Sequence, residues 1–157
     1  MTRREQDLMA SAAITTFKLN GQFLAIAEEL AGSAGLTAAW WQVLGAVLHD
    51  PLPVAGIARE MGITRQSVQR IADLLVDRGL AEYRNNPAHR RAKLVASTHQ
   101  GRAAIAEIAP GHADFARRLA KAMGREELIH ALAAMTKLSE TLDALAGRSA
   151  APPRPGG

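Results

Sequence analysis

The sequence predicts a mainly α-helical fold with one small β-hairpin, an α+β class. Apolar residues recur at helical spacing along most of the 157 residues. Two short helical segments meet at "MGIT" (61–64), with a glycine in the turn. Directly after them, "LAEYR" and "RAKLVAS" show the rough alternation of two strands joined by a turn. Two helices followed by a hairpin form the pattern of a winged helix-turn-helix, here placed between N- and C-terminal dimerisation helices.

The composition excludes several classes of protein. The chain is 48% hydrophobic and 22% charged, which is typical of a globular protein. It has no cysteine, so disulfides, thiolate metal sites and thiol redox sensing are excluded. No apolar run approaches the roughly 18 residues of a membrane span. The first residues combine arginines with Glu5 and Asp7, unlike a signal peptide. We therefore expect a cytoplasmic protein with no membrane partner.

The order of the predicted elements divides the chain into four parts. They are an N-terminal dimerisation helix (1–35), a DNA-binding winged helix-turn-helix (36–98), C-terminal dimerisation helices (99–147) and a flexible tail (148–157). Within the second part, "LTAAWWQVLGAVLHD" predicts a helix capped by Thr37. In the third, the Pro110-Gly111 pair is expected to kink or split the helix predicted over 99–123.

The first and last helices show apolar patterns that point to a homodimer. In the first, the apolar residues wander around the helix and leave no clean polar face, as in a subunit interface. In the last, Leu128, Met135 and Leu142 repeat every seven residues. Packing within one chain explains that repeat as well as a coiled dimer seam does.

The second helix of the helix-turn-helix carries the residues expected to recognise DNA. Thr64 is the predicted N-cap, and Gly79 closes the helix. One face is apolar, and the opposite face is rich in arginine and glutamine, which can form paired hydrogen bonds with guanine and adenine edges. The predicted contacts are Thr64, Arg65, Gln66, Ser67, Gln69 and Arg70.

The turn "NNPAHRRAKLV" (85–95) is expected to be the tip of a wing. Residues 59–93 hold eight cations and four anions, so this segment accounts for the whole net charge of +4. Such a cluster can be an ordinary solvated face, but here it surrounds the predicted helix-turn-helix and wing. Arg90, nearest the tip on the returning strand, is expected to enter the minor groove, and its neighbours to contact phosphates. The predicted wing contacts are Arg84, His89, Arg90, Arg91 and Lys93.

From Leu36 to Thr98 the sequence resembles the MarR (multiple antibiotic resistance regulator) family of bacterial winged-helix regulators. The matching pieces are "LTAAWWQVLGAV", "PVAGIAREMGITRQSVQRIADLLVDRGLAEY" and "NPAHRRAKLVAST", and the first helix also looks like that of some members. In the family an acid usually stands two places before the wing arginine and braces the wing. Here that place holds Ala88 before Arg90, so the pair that braces the wing is lost and a more mobile wing is expected.

The resemblance implies a homodimer with intertwined first and last helices. It also implies a repressor of nearby genes that releases DNA when a small anionic or aromatic molecule binds beside the winged helix. Candidate residues for such a pocket are Phe17, Phe23, Trp40 and Trp41, although paired tryptophans at a helix start are more often core or interface.

Other functional classes receive less support from the sequence. It contains no G-x-G-x-x-G, Walker loop or H-E-x-x-H motif, so we expect neither an enzyme nor a cofactor. The five histidines are scattered, and no metal site is expected. The alternative that remains is a winged-helix module for protein interaction, without specific DNA binding.

Overall fold

The computed structural model describes residues 3–147, which contain six helices and three short strands. The helices are α1 (Arg3–Gly32), α2 (Ala38–Ala46), α3 (Val54–Met61), α4 (Arg65–Asp77), α5 (His99–Met123) and α6 (Arg125–Leu145). The strands are β1 (Leu52–Pro53), β2 (Ala81–Arg84) and β3 (Leu94–Ser97). The predicted fold class is confirmed. The tail predicted over 148–157 lies outside the described residues.

The three strands form an antiparallel sheet in the order β1-β3-β2. Val95 of β3 pairs with Leu52 on one side and with Tyr83 on the other. The hairpin was predicted. The stretch "LPVAGIAREMG" (52–62) predicts a short helix that begins at Leu52. That start is wrong because Pro53 is still extended, with φ −68° and ψ 155°, and serves as the N-cap of α3.

Local signals set the ends of the two helices in the helix-turn-helix. Gly62 adopts a left-handed conformation, with φ 66°, directly after α3, and its N–H donates to the carbonyl of Ala58. Two residues later Thr64 accepts the backbone N–H of Ser67 on its side chain and so caps α4. Thr37 caps α2 in the same way, through the N–H of Trp40. The predicted caps Thr37 and Thr64 are both confirmed.

The core lies under α2, α3, α4 and the sheet. Its fully buried large side chains include Val43 and Leu44 of α2, Ile57 of α3 and Val95 of β3. The predicted apolar face of α4 is buried among them, and it consists of Val68, Ile71, Ala72 and Leu75. Because this face packs inward, the arginine- and glutamine-rich face of α4 must point to solvent.

Pro110 lies inside α5, and the helix is not split there. α5 runs from His99 to Met123 without interruption. A proline removes one backbone N–H, so the carbonyl of Ala106 loses its helical donor. Ala106 is exposed, and water can satisfy that carbonyl, which explains why the helix is not split. The kink expected at Pro110 stays a prediction.

The chain divides into two compact units, Met1–His112 and Ala113–Gly157. The first contains α1 to α4, the sheet and the start of α5, and the second contains the rest of α5 together with α6. The division into functional domains made from the sequence stays a prediction. Among the residues that the structure describes, no helix combines the length and apolar character that a membrane span requires.

Candidate nucleic-acid interface

An open groove of about 570 Å³ runs between the start of α3, the start of α4 and the loop that joins β2 to β3. Its lining includes three cations and no carboxylate, so the groove carries a net positive charge of the kind that attracts polyanions. The lining residues are Pro53, Val54, Ala55, Arg65, Gln66, Gln69, Tyr83, Arg91, Ala92 and Lys93.

The outer face of α4 holds most of the predicted base-reading residues. Arg65, Gln66, Gln69 and Arg70 are all exposed, and Ser67 is half-buried. Thr64 is less free, because its hydroxyl accepts the Ser67 N–H at 3.1 Å and donates to Ser67 Oγ at 2.9 Å. Thr64 and Ser67 therefore help to start the helix, whereas Arg65, Gln66 and Arg70 remain available to a ligand.

A hydrogen-bonded triad connects α4 to strand β2. The Gln69 amide nitrogen donates to Asp73 Oδ1 at 3.0 Å and to the Tyr83 hydroxyl oxygen at 2.9 Å. The Tyr83 hydroxyl in turn donates to Asp73 Oδ1. Three polar side chains thus satisfy one another across the junction between α4 and the hairpin.

The environment of Tyr83 keeps its hydroxyl protonated. Burial is the largest cause that raises the pKa of Tyr83, and together with the hydrogen bond to Asp73 and the negative charge of that carboxylate it brings the pKa to about 12. The phenol therefore remains a hydrogen-bond donor throughout the neutral and mildly alkaline range.

Two consecutive turns form the loop between β2 and β3, which we call the wing loop (85–93). The N–H of His89 donates to the carbonyl of Asn86 at 3.2 Å, and the N–H of Ala92 donates to the carbonyl of His89 at 3.3 Å. In addition, the side chain of Asn86 accepts the Ala88 N–H at 3.0 Å. These bonds order the loop from within, although Ala88 replaces the acid of the usual wing pattern.

The turns also move three cations off the returning strand. Arg90, Arg91 and Lys93 were predicted on that strand, but β3 begins only at Leu94. The prediction was wrong because the hydrogen bond from the Ala92 N–H to the His89 carbonyl closes a turn at these residues. Strand pairing with β2 therefore begins only after this turn. The cations lie in the wing loop itself, where Arg91 and Lys93 line the groove and Arg90 is exposed.

Comparison with known proteins identifies the family to which this sequence is related. A model of the MarR family matches residues 34–92. Over 102 residues the chain is 41% identical to the uncharacterised protein Rv2011c of Mycobacterium tuberculosis, an alignment that covers 65% of this chain and 71% of that protein. The chain belongs to the MarR family.

Solved structures show the same MarR fold. A MarR family transcription regulator, SP03579, superposes with a TM-score of 0.75 at 22% identity, over 93% of this chain and 97% of that one. BpsR of Bordetella bronchiseptica, whose DNA binding is regulated by 6-hydroxynicotinic acid, gives a TM-score of 0.72 at 22% identity, with 82% and 98% covered. The transcriptional repressor CouR, bound to a 23-mer DNA duplex, gives 0.71 at 23% identity, with 88% and 98% covered. The predicted class, a winged-helix DNA-binding regulator, is confirmed at the level of the family.

One predicted wing contact of this MarR protein is already paired. The guanidinium of Arg84 lies 2.7 Å from Glu82 on the same face of β2, and both side chains are about half exposed. Residues two apart on a strand point to the same side, which brings the two charges together. Arg84 therefore presents less net positive charge to a phosphate than the loop cations do.

Sequence reasoning missed the parts played by Tyr83 and Asp73. A signal was present, because Tyr83 stands two residues after Ala81 and the two share one face of the strand. Ala81 is buried and Tyr83 half-buried, so this face turns toward the helix that precedes it. Nothing in the local pattern revealed that Gln69 would be the partner.

The aromatic residues considered for an effector pocket lie elsewhere in the MarR fold. Trp40 and Trp41 are half-buried and pack against the core. The Arg78 guanidinium lies 5.4 Å from the Trp40 ring centre, and His112 meets Trp41 edge-on at 5.3 Å. Phe17 and Phe23 are exposed. None of the four lines the groove, and their role as a pocket stays a prediction.

No group of three or more histidine, aspartate or glutamate side chains is arranged to hold a metal ion within residues 3–147.

Proposed function

We propose that this MarR protein is a homodimeric repressor that binds a pseudo-palindromic operator in a sequence-specific way and releases it when a small aromatic or anionic molecule binds. The observation that carries the proposal is the groove between α4 and the wing loop. Its base-reading arginine and glutamines stand beside two wing cations, without a carboxylate among the lining residues.

The residues of α4 fit the edges of base pairs. A helix about 12 Å across enters the major groove with its first turns nearest the bases. Arg65 and Arg70 are exposed in the first half of α4, and each has the donor geometry to form two hydrogen bonds with guanine O6 and N7. The wing cations supply affinity without sequence preference, because they neutralise phosphates and release counterions.

The exposed apolar residues of α1 and α6 support the homodimer. Twelve of the fifteen large hydrophobic side chains exposed among the described residues belong to these two helices. A second copy of the chain would remove this surface from water. Two related winged helices would then meet two half-sites about 34 Å apart, one turn of the double helix.

Repression and its release by an effector rest on family likeness. CouR is a transcriptional repressor, and the DNA binding of BpsR is regulated by an aromatic acid. Phe17, Phe23, Trp40 and Trp41 are the residues we would examine for such a ligand. Action on a bacterial operator also places the protein in the cytoplasm, where the chromosome lies.

Selection of bound duplexes from a random pool tests the proposal. We expect an enriched inverted repeat, and a panel of aromatic carboxylates should then be screened for release of that repeat. Failure to enrich any sequence would favour the protein-interaction module instead.

Arg70 offers a matched pair of variants for the same assay. Arg70→Ala should lose about 1–3 kcal/mol of discrimination between the selected and a scrambled duplex. Arg70→Lys keeps the charge but not the two-pronged donor, so it should lose discrimination while retaining more affinity for the scrambled duplex. Equal losses on both duplexes would show that Arg70 contacts only phosphate.

A further inference from the structure

Both amide hydrogens of Gln69 are engaged inside the protein. One is directed to Asp73 Oδ1 at 3.0 Å and the other to the Tyr83 hydroxyl oxygen at 2.9 Å. A glutamine amide has only two hydrogens and one carbonyl oxygen. The donor side of Gln69 is therefore saturated before any DNA arrives.

The orientation of this amide follows from its partners. An ionised carboxylate only accepts hydrogen bonds, so it requires the nitrogen of Gln69 and would repel the oxygen. The Tyr83 hydroxyl uses its own hydrogen on Asp73, which leaves an oxygen lone pair that also requires a donor. Rotating the amide by half a turn would set Gln69 Oε1 against two acceptors.

The carbonyl oxygen of Gln69 is left for a ligand. No hydrogen bond to Gln69 Oε1 is found among residues 3–147. The side chain is exposed and lines the groove between α4 and the wing loop. What this residue offers to the groove is an acceptor alone.

We propose that Gln69 reads DNA as an acceptor-only side chain and selects a base that carries an exocyclic amino group, cytosine or adenine. Residue type alone suggests a different reading, in which glutamine binds adenine through both N6 and N7. That second contact needs an amide hydrogen, and both are held by Asp73 and Tyr83. The inference rests on the proposed function, since it assumes that α4 enters the major groove.

Asp73 and Tyr83 act as positioning residues in this scheme. Asp73 lies one turn after Gln69 on α4, and Tyr83 reaches it from β2. Together they fix the amide plane from two elements, and the high pKa of Tyr83 keeps its hydroxyl hydrogen in place on Asp73. Guanine and thymine present only acceptors where the amino group would be, so they would face Gln69 Oε1 with no hydrogen between.

The test compares duplexes selected from a random pool by four full-length proteins. Gln69→Ala identifies the base position that this residue contacts, because the base preference at that position should disappear from the duplexes that the variant selects. At that position the original protein should enrich cytosine and adenine together. The double variant Asp73→Ala/Tyr83→Phe frees both amide hydrogens, so adenine should gain over cytosine by about fivefold or more. Tyr83→Phe alone frees one amide hydrogen of Gln69, which is enough for a hydrogen bond to adenine N7. This single variant should therefore shift the preference toward adenine as well, and it replaces the double variant if that protein folds poorly.

The outcomes separate this inference from the proposed function. Enrichment of adenine alone by the original protein, or an unaltered preference in both releasing variants, would overturn the acceptor-only reading. An enriched sequence that Gln69→Ala leaves unchanged at every position would also overturn it, while leaving DNA recognition by the other residues intact. If the original protein enriches no sequence at all, both proposals fall.

Discussion

Hydrogen bonds within the protein decide which polar groups of α4 are free for DNA. The Thr64 hydroxyl is committed to the helix start, and the Gln69 nitrogen to Asp73 and Tyr83. Residue type therefore overstates what some side chains can offer. A helix face has to be read atom by atom before base contacts are assigned to it.

Tyr83 gives this network a spectroscopic signal, because it is the only tyrosine in the chain. Its titration, followed by the absorbance of the phenolate, should give a pKa of about 12. Asp73→Ala removes a hydrogen bond and a charge that raise the pKa, so it should move the pKa down toward 10.0. Gln69→Ala removes a hydrogen bond that lowers the pKa and should not move it down. A pKa near 10.0 in the unaltered protein would show that the triad does not form.

The same shift sets a pH window for stability. The folded state holds the Tyr83 proton up to about pH 12, whereas the unfolded chain loses it near 10.0. Between these values the folded state binds more protons, so the free energy of unfolding should fall as pH rises. Below pH 10.0 the contribution of Tyr83 is fully present. Denaturation midpoints of the original protein and Tyr83→Phe should therefore converge across that window.

Among the elements, the start of α5 is fixed by a close backbone contact. Thr98 donates to the carbonyl of Gly79 at 2.6 Å and accepts the N–H of Gly101 at 3.1 Å. A methyl group added at Gly101 would overlap the carbonyl of Leu80. Gly101→Ala should therefore destabilise the fold by about 1–3 kcal/mol in urea denaturation.

Gly45 provides the matched control for Gly101. It lies inside α2 and is exposed, and an added methyl group would meet no atom within 4 Å. Gly45→Ala should stabilise by roughly 0.5–1 kcal/mol, because alanine favours the helix. Equal effects of the two substitutions would contradict the close contact at Leu80.

The cations of the wing loop should make DNA binding depend on salt. Arg90→Ala should flatten the slope of log affinity against log salt by about 2 per dimer, since each neutralised phosphate contributes about 0.9 and a dimer has two wings. Arg84→Ala should flatten it less, because Glu82 already neutralises part of that charge. Affinities for the selected duplex across a salt series measure both slopes. An unchanged slope in Arg90→Ala would show that the loop tip does not meet phosphate.

Elements defined by local signals were predictable from the sequence, and those defined by distant partners were not. Thr64 and the periodicity of Val68 to Leu75 announce α4 within a few residues. Strand β1 exists only because Leu52 and Pro53 meet β3 some forty residues later. The same reason hid the triad, since Gln69 and Tyr83 are fourteen residues apart. The candidate site was thus predicted by residue type, while its hydrogen bonding required the fold.

For the whole molecule, the main free-energy cost left by a single chain is the apolar surface that α1 and α6 expose to water. No residue of α6 is buried, so packing within one chain does not account for its heptad-like repeat. The exposed large side chains of that helix are Ile129, Leu132, Met135, Leu138, Leu142 and Leu145. Surface of this kind is rare on monomers and typical of interfaces. The dimer seam is therefore the better of the two explanations left open by the sequence.

The dimer can be tested together with the operator. Leu132 is 64% exposed in the apolar series of α6, and Leu132→Glu would bury a charge in the proposed seam, so it should yield monomers at micromolar concentration in sedimentation. Ala133→Glu is the matched control. It adds the same charge one residue later, on the face of α6 that carries Lys137 four residues further along, and this variant should remain dimeric. The monomeric variant should bind the inverted repeat roughly 10²–10⁴ times more weakly than the original protein, and a single half-site about equally well, because only the linkage of two sites is lost. A folded monomer in the original protein would exclude the seam and with it the palindromic operator.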